Sequence, residues 1–376
     1  MKVCLVGPVY PYRGGIAHFT SLLAKEFAKD HEISIINFKR LYPSFLFPGK
    51  TQFDESGSPL QVESERLIDS MNPFTWILTA RAIARRRPDL VVFQWWQPFF
   101  AFTYAGVLFF LKLFWKSQVV YLCHNVLPHE ASIFDRTLIK IGFTFVNAFL
   151  VQSQEDRMNL LRFRKHARVA VNPHPIYDVF KQSYITREEA REKLGIQDRI
   201  TLFFGYIRPY KGLRVLLEAF AESIERVPST LLIVGEFYED QESYISLMEE
   251  LSIRDKIVLV DRYVPNEEVE IFFTACDIVV LPYLSATQSG IVQIAFGFGK
   301  PVIVTGVGGL PDVVEDGVTG YVVPPNDPES LAKAIVHFYS QGDSTTFEEN
   351  IQAAKDKFSW KRCKGTLVEL SGLDAG

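Results

Sequence analysis

Two doubly wound α/β domains are the architecture this 376-residue sequence predicts. Three observations carry that prediction. Short, nearly continuous apolar runs rich in β-branched residues alternate with stretches of helical spacing, as in parallel sheets covered on both faces. The pattern begins twice in the same way, at residue 2 and at residue 200, with an apolar strand ending on Gly, a polar loop and a helix. At roughly 150 residues per domain, the length suits two domains. With 48% hydrophobic and 22% charged residues, the composition excludes a disordered chain, a collagen-like fibre and a small disulfide scaffold.

Taken in order, the first half reads as strands at 2–7, 32–38, 90–95, 119–124, 148–153 and 167–172. Residues 16–29 (IAHFTSLLAKEFAK) carry apolar residues at helical spacing. Residues 99–115 (FFAFTYAGVLFFLKLFW) are the most apolar stretch, but Lys112 interrupts them. They fall short of the roughly 20 residues needed to span a bilayer, so they read as a buried or interfacial helix. Residues 41–73 show little periodicity, and a long irregular loop in a compact domain is commonly functional. The expectation for it is acceptor binding or membrane contact. The domain boundary lies in 173–199, where Pro173 and Pro175 interrupt regular structure and Thr186 to Glu189 forms a capping box that opens a helix ending near Gly195. Strands follow at 200–205, 230–235, 256–260, 278–283, 301–305 and 320–323. The expected division is 1–182, 183–350 and a terminal helix within 351–376.

The net charge of −4 argues against a nucleic-acid partner but averages two unlike halves. Residues 1–180 hold 21 Lys and Arg against 14 Asp and Glu; residues 181–376 hold 19 against 30. The basic half also carries four of the five Trp and 20 of the 31 Phe. Its basic clusters, Arg81 with Arg85–Arg87 and Arg157 through Arg168, lie among these aromatics and suit an anionic membrane surface. Cys4, Cys123, Cys276 and Cys363 form no CxxC pair and read as reduced, buried thiols of a cytosolic protein. The opening Lys2-Val3-Cys4-Leu5-Val6-Gly7 has neither the basic stretch nor the apolar core of a signal peptide.

Four segments carry chemistry. Gly205-Tyr-Ile-Arg208-Pro-Tyr-Lys211-Gly212 joins a strand to a helix at the carboxyl edge of a sheet, where open α/β sheets bind ligands. Two cations beside a helix N-terminus there make a pyrophosphate site. Residues 281–305 run from a strand end at Pro282 through a small polar loop to Ser289 and Gly290 near a helix start, whose amides can cradle phosphate, and on through Gly299-Lys300-Pro301 to Thr305. Gly14-Gly15 after the first strand opens the backbone to a ligand, and Gly306-Val-Gly308-Gly309 is similar but lacks the full dinucleotide fingerprint. His124 stands at the end of a strand; with His129 and Glu130 it lacks the i, i+4 spacing of helical metal ligands, and no metal site is expected.

In their order and spacing these segments resemble the family-4 retaining glycosyltransferases of the GT-B fold. The resemblance covers nearly the whole chain: the Gly-Gly loop, His124, Gly205-x-x-Arg208-x-x-Lys211-Gly212, and Ser289-Gly290 through Gly299-Lys300-Pro301 to Gly308-Gly309 and Gly317-x-x-Gly320. It implies two Rossmann-like domains facing across a cleft, the first for the acceptor and the second for a nucleotide-sugar donor. The last helix would return to the first domain, as Phe358-Ser-Trp360 suggests. Carried over residue by residue, Arg208 and Lys211 would bind the donor diphosphate and stabilise charge on the leaving group. Ser289, Gly290 and Ile291 would offer backbone groups to the phosphates, Gly14 and Gly15 would approach the donor, and His124 would contact the transferred sugar. Arg262-Tyr263-Val264 would line the nucleobase pocket, mostly by backbone.

One departure stands out. The family usually carries two glutamates eight positions apart, for the donor sugar and the ribose hydroxyls; here Ala286 and Ile294 align with them. Thr287, Gln288 or Gln293 would supply polar contacts instead. The resulting expectation is a metal-independent, hexosyltransferase-like retaining enzyme without a cofactor. It would move sugar from a UDP- or GDP-sugar co-substrate to a saccharide or lipid-linked acceptor hydroxyl, in exopolysaccharide or lipopolysaccharide assembly. The expected location is cytoplasmic, peripheral at the inner face of the membrane. Two rivals use the same architecture: a catalytically inactive binding or scaffold protein, and a nucleotide-sugar epimerase.

Overall fold

The computed structural model describes residues 1–43, 51–127, 133–341 and 345–373. The chain divides into two units, one of Met1–Glu55, Pro59–Pro173 and Phe358–Gly376, the other of Ser56–Ser58 and His174–Lys357.

The first unit alternates strand and helix through β1 (Lys2–Val6), α1 (Gly15–Phe27), β2 (Glu32–Arg40), β3 (Glu65–Asp69), α2 (Pro73–Arg86), β4 (Leu90–Trp95), α3 (Ala101–Phe114), β5 (Gln118–Cys123), α4 (Ile133–Gly142), β6 (Ala148–Val151), α5 (Gln154–Phe163) and β7 (Arg168–Val171). Its strands form one parallel sheet in the order β3-β2-β1-β4-β5-β6-β7. Every residue of β4 is buried, as a strand covered on both faces requires. On one face α2, α3 and α4 cover an aromatic core in which Trp95 stacks on Tyr121 (5.7 Å) and meets Phe143 (4.9 Å).

The second unit runs α6 (Arg187–Leu194), β8 (Ile200–Phe204), α7 (Leu213–Ile224), β9 (Thr230–Val234), α8 (Glu242–Glu250), β10 (Ile257–Val260), α9 (Val269–Ala275), β11 (Ile278–Leu281), α10 (Gly290–Gly297), β12 (Val302–Thr305), β13 (Gly320–Val323), α11 (Pro328–Ser340) and α12 (Thr345–Ala354). Its parallel sheet is ordered β10-β9-β8-β11-β12-β13. In both sheets the strand order reverses beside the first strand of the unit, at β1/β4 and at β8/β11. Doubly wound sheets bind ligands outside the carboxyl ends of the strands at such reversals.

The units divide at Pro173/His174 and Lys357/Phe358, where the sequence placed the divisions at 182/183 and 350/351. Residues 174–184 pack on the second unit: Tyr177 N donates to Gln293 O (3.3 Å), and Glu270 accepts from the amides of Gln182, Ser183 and Tyr184. The capping box forms as expected, with Thr186 and Glu189 bonded reciprocally and Gly195 closing α6 at φ +67°. The final helix, α13 (Trp360–Ser371), buries Cys363, Leu367, Val368 and Leu370 against Val3, Phe19 and Leu23 of the first unit. Lys364 of α13, itself buried, donates to Asp30 (2.6 Å).

Residues 41–73 are less irregular than their composition suggests. Residues 65–69 join the sheet edge as β3, because β2 offers Ile36–Arg40 as a parallel partner. Ser56 and Gly57 bond within the second unit, to Asn266 N and Glu267 Oε1. Residues 44–50 of this stretch, and the His129–Glu130 pair, lie outside the described residues. All four cysteines are buried and free.

Candidate functional site

In the second unit the site is assembled by glycines that let loops touch. Gly205, at φ +117°, ends β8, and Gly235, at φ +152°, ends β9. A Cβ on Gly235 would lie 2.0 Å from the carbonyl oxygen of Gly205, so only glycine allows these strand ends to meet. The chain then returns through Ile207, which accepts from Tyr238 N (3.0 Å). This carries Tyr206 onto the ring of Tyr238 (4.8 Å) and the Arg208 guanidinium over the same ring (4.8 Å). A tight turn at Pro209–Lys211 leads into α7.

Lys211 is the centre of the arrangement. Its Nζ donates to Tyr283 Oη (2.6 Å) and sits 4.0 Å from the Tyr283 ring centroid. Tyr283 Oη lies 3.2 Å from Ser289 Oγ, and Ser289 Oγ caps α10 by accepting from Ile291 N (3.3 Å). Because Ser289 already accepts from Ile291, the Tyr283 hydroxyl is the group placed to donate to it. One line thus joins a cation to the N-terminus of α10, where the helix dipole and first-turn amides favour an anion. Burial holds the Lys211 ammonium below the usual lysine pKa, and Arg208 adds repulsion. Burial pushes the Tyr283 phenol up, keeping it protonated.

The loop before α10 is held from below. Gly309 N donates to Thr287 O (3.0 Å), and Gly308, at φ +55°, lies so close to Ala286 that a Cβ would be 1.6 Å from its carbonyl oxygen. The Gly306–Gly309 turn therefore packs against the loop at 286–288. Thr287 and Ser289 are buried, and Gln288 is half-buried. Gln293 is fully buried on α10, and among the described residues neither of its amide atoms has a hydrogen-bond partner. Ala286 and Ile294, at the positions aligned with the two glutamates, are buried apolar residues. Arg262, Tyr263 and Val264 follow β10, two strands from β8. Arg262 pairs with Glu268 through both guanidinium nitrogens, one at 3.2 Å, so its charge is already engaged.

In the first unit, Gly14 (φ +104°) caps α1 without a side chain, and a Cβ on Gly14 or Gly15 would meet nothing within 4 Å. Neither packing nor its own φ demands a glycine at Gly15. His124 follows β5 and is nearly buried; its Nε2 is 2.8 Å from Gln94 Oε1, and Phe19 meets the imidazole edge-on at 4.8 Å. Gln94 is fully buried at the end of β4, against Gly7, where a Cβ would lie 2.5 Å from Gln94 Cγ. Asn37 of β2 holds the loop at 9–10 by donating to Val9 O and Tyr10 O (3.2 and 3.0 Å). Neither amide belongs to a motif that the sequence displays. Their signal is a lone Gln in LVVFQW and an Asn within the buried Ile35–Phe38 part of EISIINF, polar residues where the strand is otherwise apolar.

Residues 198–341 match the family model described as glycosyl transferases group 1. Among known sequences, a D-inositol 3-phosphate glycosyltransferase of Corynebacterium glutamicum is 30% identical over 196 residues, 50% of this chain and 46% of that protein. An uncharacterized glycosyltransferase of Methanocaldococcus jannaschii is 30% identical over 186 residues, 48% of this chain and 47% of the relative. The match thus spans about half the length of these relatives. Among solved structures, Anabaena HepE in complex with UDP and glucose superposes with a TM-score of 0.75 at 19% identity, covering 99% of this chain and 100% of the other. The lipopolysaccharide outer core galactosyltransferase WaaB gives 0.69 at 12% identity, over 98% and 99%. At these identities the likeness is one of fold. The second unit thus carries, over residues 198–341, the sequence pattern of glycosyl transferases group 1, within a chain that has the fold of solved glycosyltransferases.

Proposed function

We propose that this chain is a retaining, metal-independent glycosyltransferase that moves a sugar from a nucleotide-diphosphate donor to an acceptor hydroxyl. The observation that carries the reading is the line Lys211–Tyr283–Ser289–α10, with Arg208 on the same loop as Lys211. In this reading the donor diphosphate lies over the α10 N-terminus. Arg208 and Lys211 neutralise the charge that develops as the bond from sugar C1 to the phosphate oxygen breaks. The acceptor oxygen forms the new bond to C1 on the same face, and its proton passes to the departing diphosphate. Such preorganised cations cost little reorganisation during the reaction. His124, oriented by Gln94, contacts the sugar, and Gly14 and Gly15 leave room for it. Thr287, Gln288 and Gln293 replace the missing glutamates. A UDP-sugar is the favoured donor, since HepE was solved with UDP and glucose. The acceptor is a saccharide or lipid-linked hydroxyl at the inner face of a membrane, in exopolysaccharide or lipopolysaccharide assembly.

The test is a thermal-shift screen of UDP-, GDP- and ADP-sugars, followed by label transfer from the sugar that binds. Lys211→Ala is expected to lower transfer by roughly 100-fold or more, the range for removing one preorganised electrostatic contact. Binding without transfer or hydrolysis would support an inactive scaffold. Label returning in an epimer of the donor would support an epimerase. No shift with any nucleotide sugar would overturn the donor site itself.

A further inference from the structure

The outer faces of α2 and α3 form a surface that the donor site does not use. The two helices pack side by side and run the same way. Thr103 Oγ1 donates to Ser70 O (3.0 Å) just ahead of α2, the Trp76 ring closes over Gly106, and the Arg81 guanidinium lies 5.5 Å over the Phe114 ring. Their inner faces enter the core through Thr79, Ala80 and Ile83 on α2 and Tyr104, Val107, Leu108 and Leu111 on α3. Their outer faces are apolar where water should favour polar residues. Phe74 is 79% exposed, Leu78 58%, Phe102 55% and Leu113 65%. Single exposed apolar residues are ordinary, but a cluster of large ones on adjoining helices marks an interaction surface.

Spacing and charge say what covers it. Phe74, Leu78, Arg81 and Arg85 follow i, i+4, i+7 and i+11 along α2, Phe102, Phe109 and Leu113 follow i, i+7 and i+11 along α3, and the exposed Lys116 lies just past the extended Trp115 that ends α3. Each row starts apolar and leads to a basic end, and because the helices are parallel, like ends lie together. No Asp or Glu occurs from Ser70 to Pro88 or from Trp95 to Leu127. A protein partner's surface ordinarily mixes both signs, whereas helices that carry cations and no carboxylate beside exposed aromatics match an anionic lipid headgroup layer; the carboxylates at their margin, Glu65 and Asp69, are paired with Arg86 and Arg40. At 14 residues each, α2 and α3 are about 21 Å long, short of the ~30 Å hydrocarbon core, so they can lie on a bilayer but not cross it. The apolar ends are the helix N-termini, which follow β3 and β4 and so lie at the carboxyl edge of the sheet, the edge that also bears His124, Gly14 and Gly15.

We propose that the α2–α3 face docks on an anionic lipid bilayer, with Phe74, Leu78, Phe102 and Phe109 entering the headgroup layer and Arg81, Arg85 and Lys116 on lipid phosphates. This holds the acceptor-side edge of the first unit at the membrane, as a lipid-linked acceptor requires. It assigns a surface to the membrane contact in the proposed function but stands on its own geometry. Loss of vesicle binding would leave the donor site untouched, and loss of nucleotide-sugar binding would leave this face untouched.

The experiment is flotation of the full chain with phosphatidylcholine vesicles, with and without phosphatidylglycerol, at low and high salt. Wild type is expected to float only with the anionic vesicles and to be released by salt. Arg81→Gln with Arg85→Gln is expected to lower partitioning by roughly thirtyfold. Phe74→Ser with Phe102→Ser is expected to abolish flotation while thermal unfolding and UDP-sugar binding stay unchanged. Failure of folded wild type to bind anionic vesicles at low salt, or binding indifferent to both double variants, would overturn the proposal. So would light scattering that shows a dimer dissolved by Phe74→Ser, since the face would then be a self-association surface.

Discussion

At the scale of single residues, two glycines separate backbone cost from contact cost. Gly308 and Gly317 both have φ in the left-handed region, +55° and +73°. A Cβ on Gly317 would meet nothing within 4 Å, whereas on Gly308 it would strike the Ala286 carbonyl. Gly317→Ala is therefore expected to cost only the conformational penalty, about 1–2 kcal/mol. Gly308→Ala is expected to cost more and also to weaken nucleotide-sugar binding, because it displaces the 286–288 loop. Chemical denaturation with donor titration checks both. Equal stability losses, or unchanged donor affinity in Gly308→Ala, would refute the packing role of the Gly306–Gly309 turn. The sequence showed these glycines but not their work. A Gly-Val-Gly-Gly run reads as a ligand loop until the carbonyl packed against it is known.

At the scale of elements, Ser289 serves two partners, the Ile291 amide and the Tyr283 hydroxyl. Ser289→Ala removes a helix cap, worth about 1 kcal/mol, and strips the buried Tyr283 hydroxyl of an acceptor. The expected result is a loss of stability larger than a cap alone explains, with Ser289→Thr restoring most of it. If Tyr283→Phe makes Ser289→Ala no less costly, the coupling through Tyr283 is absent. Element positions were largely legible: twelve apolar runs named from sequence all became strands, because a buried parallel strand leaves a local apolar signature. The strand missed was β3, whose ERLID sequence is polar because it lies at a sheet edge.

At the scale of the whole molecule, acid stability should depend on two histidines shielded from water, His174 buried in the second unit and His18 half-buried in the first with its Nε2 covered. Burial lowers His18 in the first unit and His174 in the second to about 4. A base depressed in the folded state contributes stability that is present above about 6.5 and lost as pH falls toward 4. Each histidine then removes up to about 1.4 kcal/mol per pH unit in that window. Asp156 acts in the opposite sense: burial raises it to about 6, so its favourable contribution at low pH is lost as pH rises from about 4 through 6. Denaturation midpoints from pH 7 to 4 should fall less steeply for His174→Gln than for wild type. Parallel slopes would show that His174 does not govern the acid limb.

What the sequence by itself determined was the alternation of strand and helix, the two-fold repeat of the doubly wound plan, and the loops that carry Arg208, Lys211, Ser289, Gly14 and His124. All of these follow from local periodicity, capping and glycine placement. Only the tertiary structure decided which of those residues touch. Lys211 meets Tyr283 across 72 positions of sequence, and His124 meets Gln94 across 30, because strand order brings β11 beside β8 and β5 beside β4. Side-chain partnership depends on sheet order and register, and those are set by how the whole chain buries its apolar faces, which no local window contains.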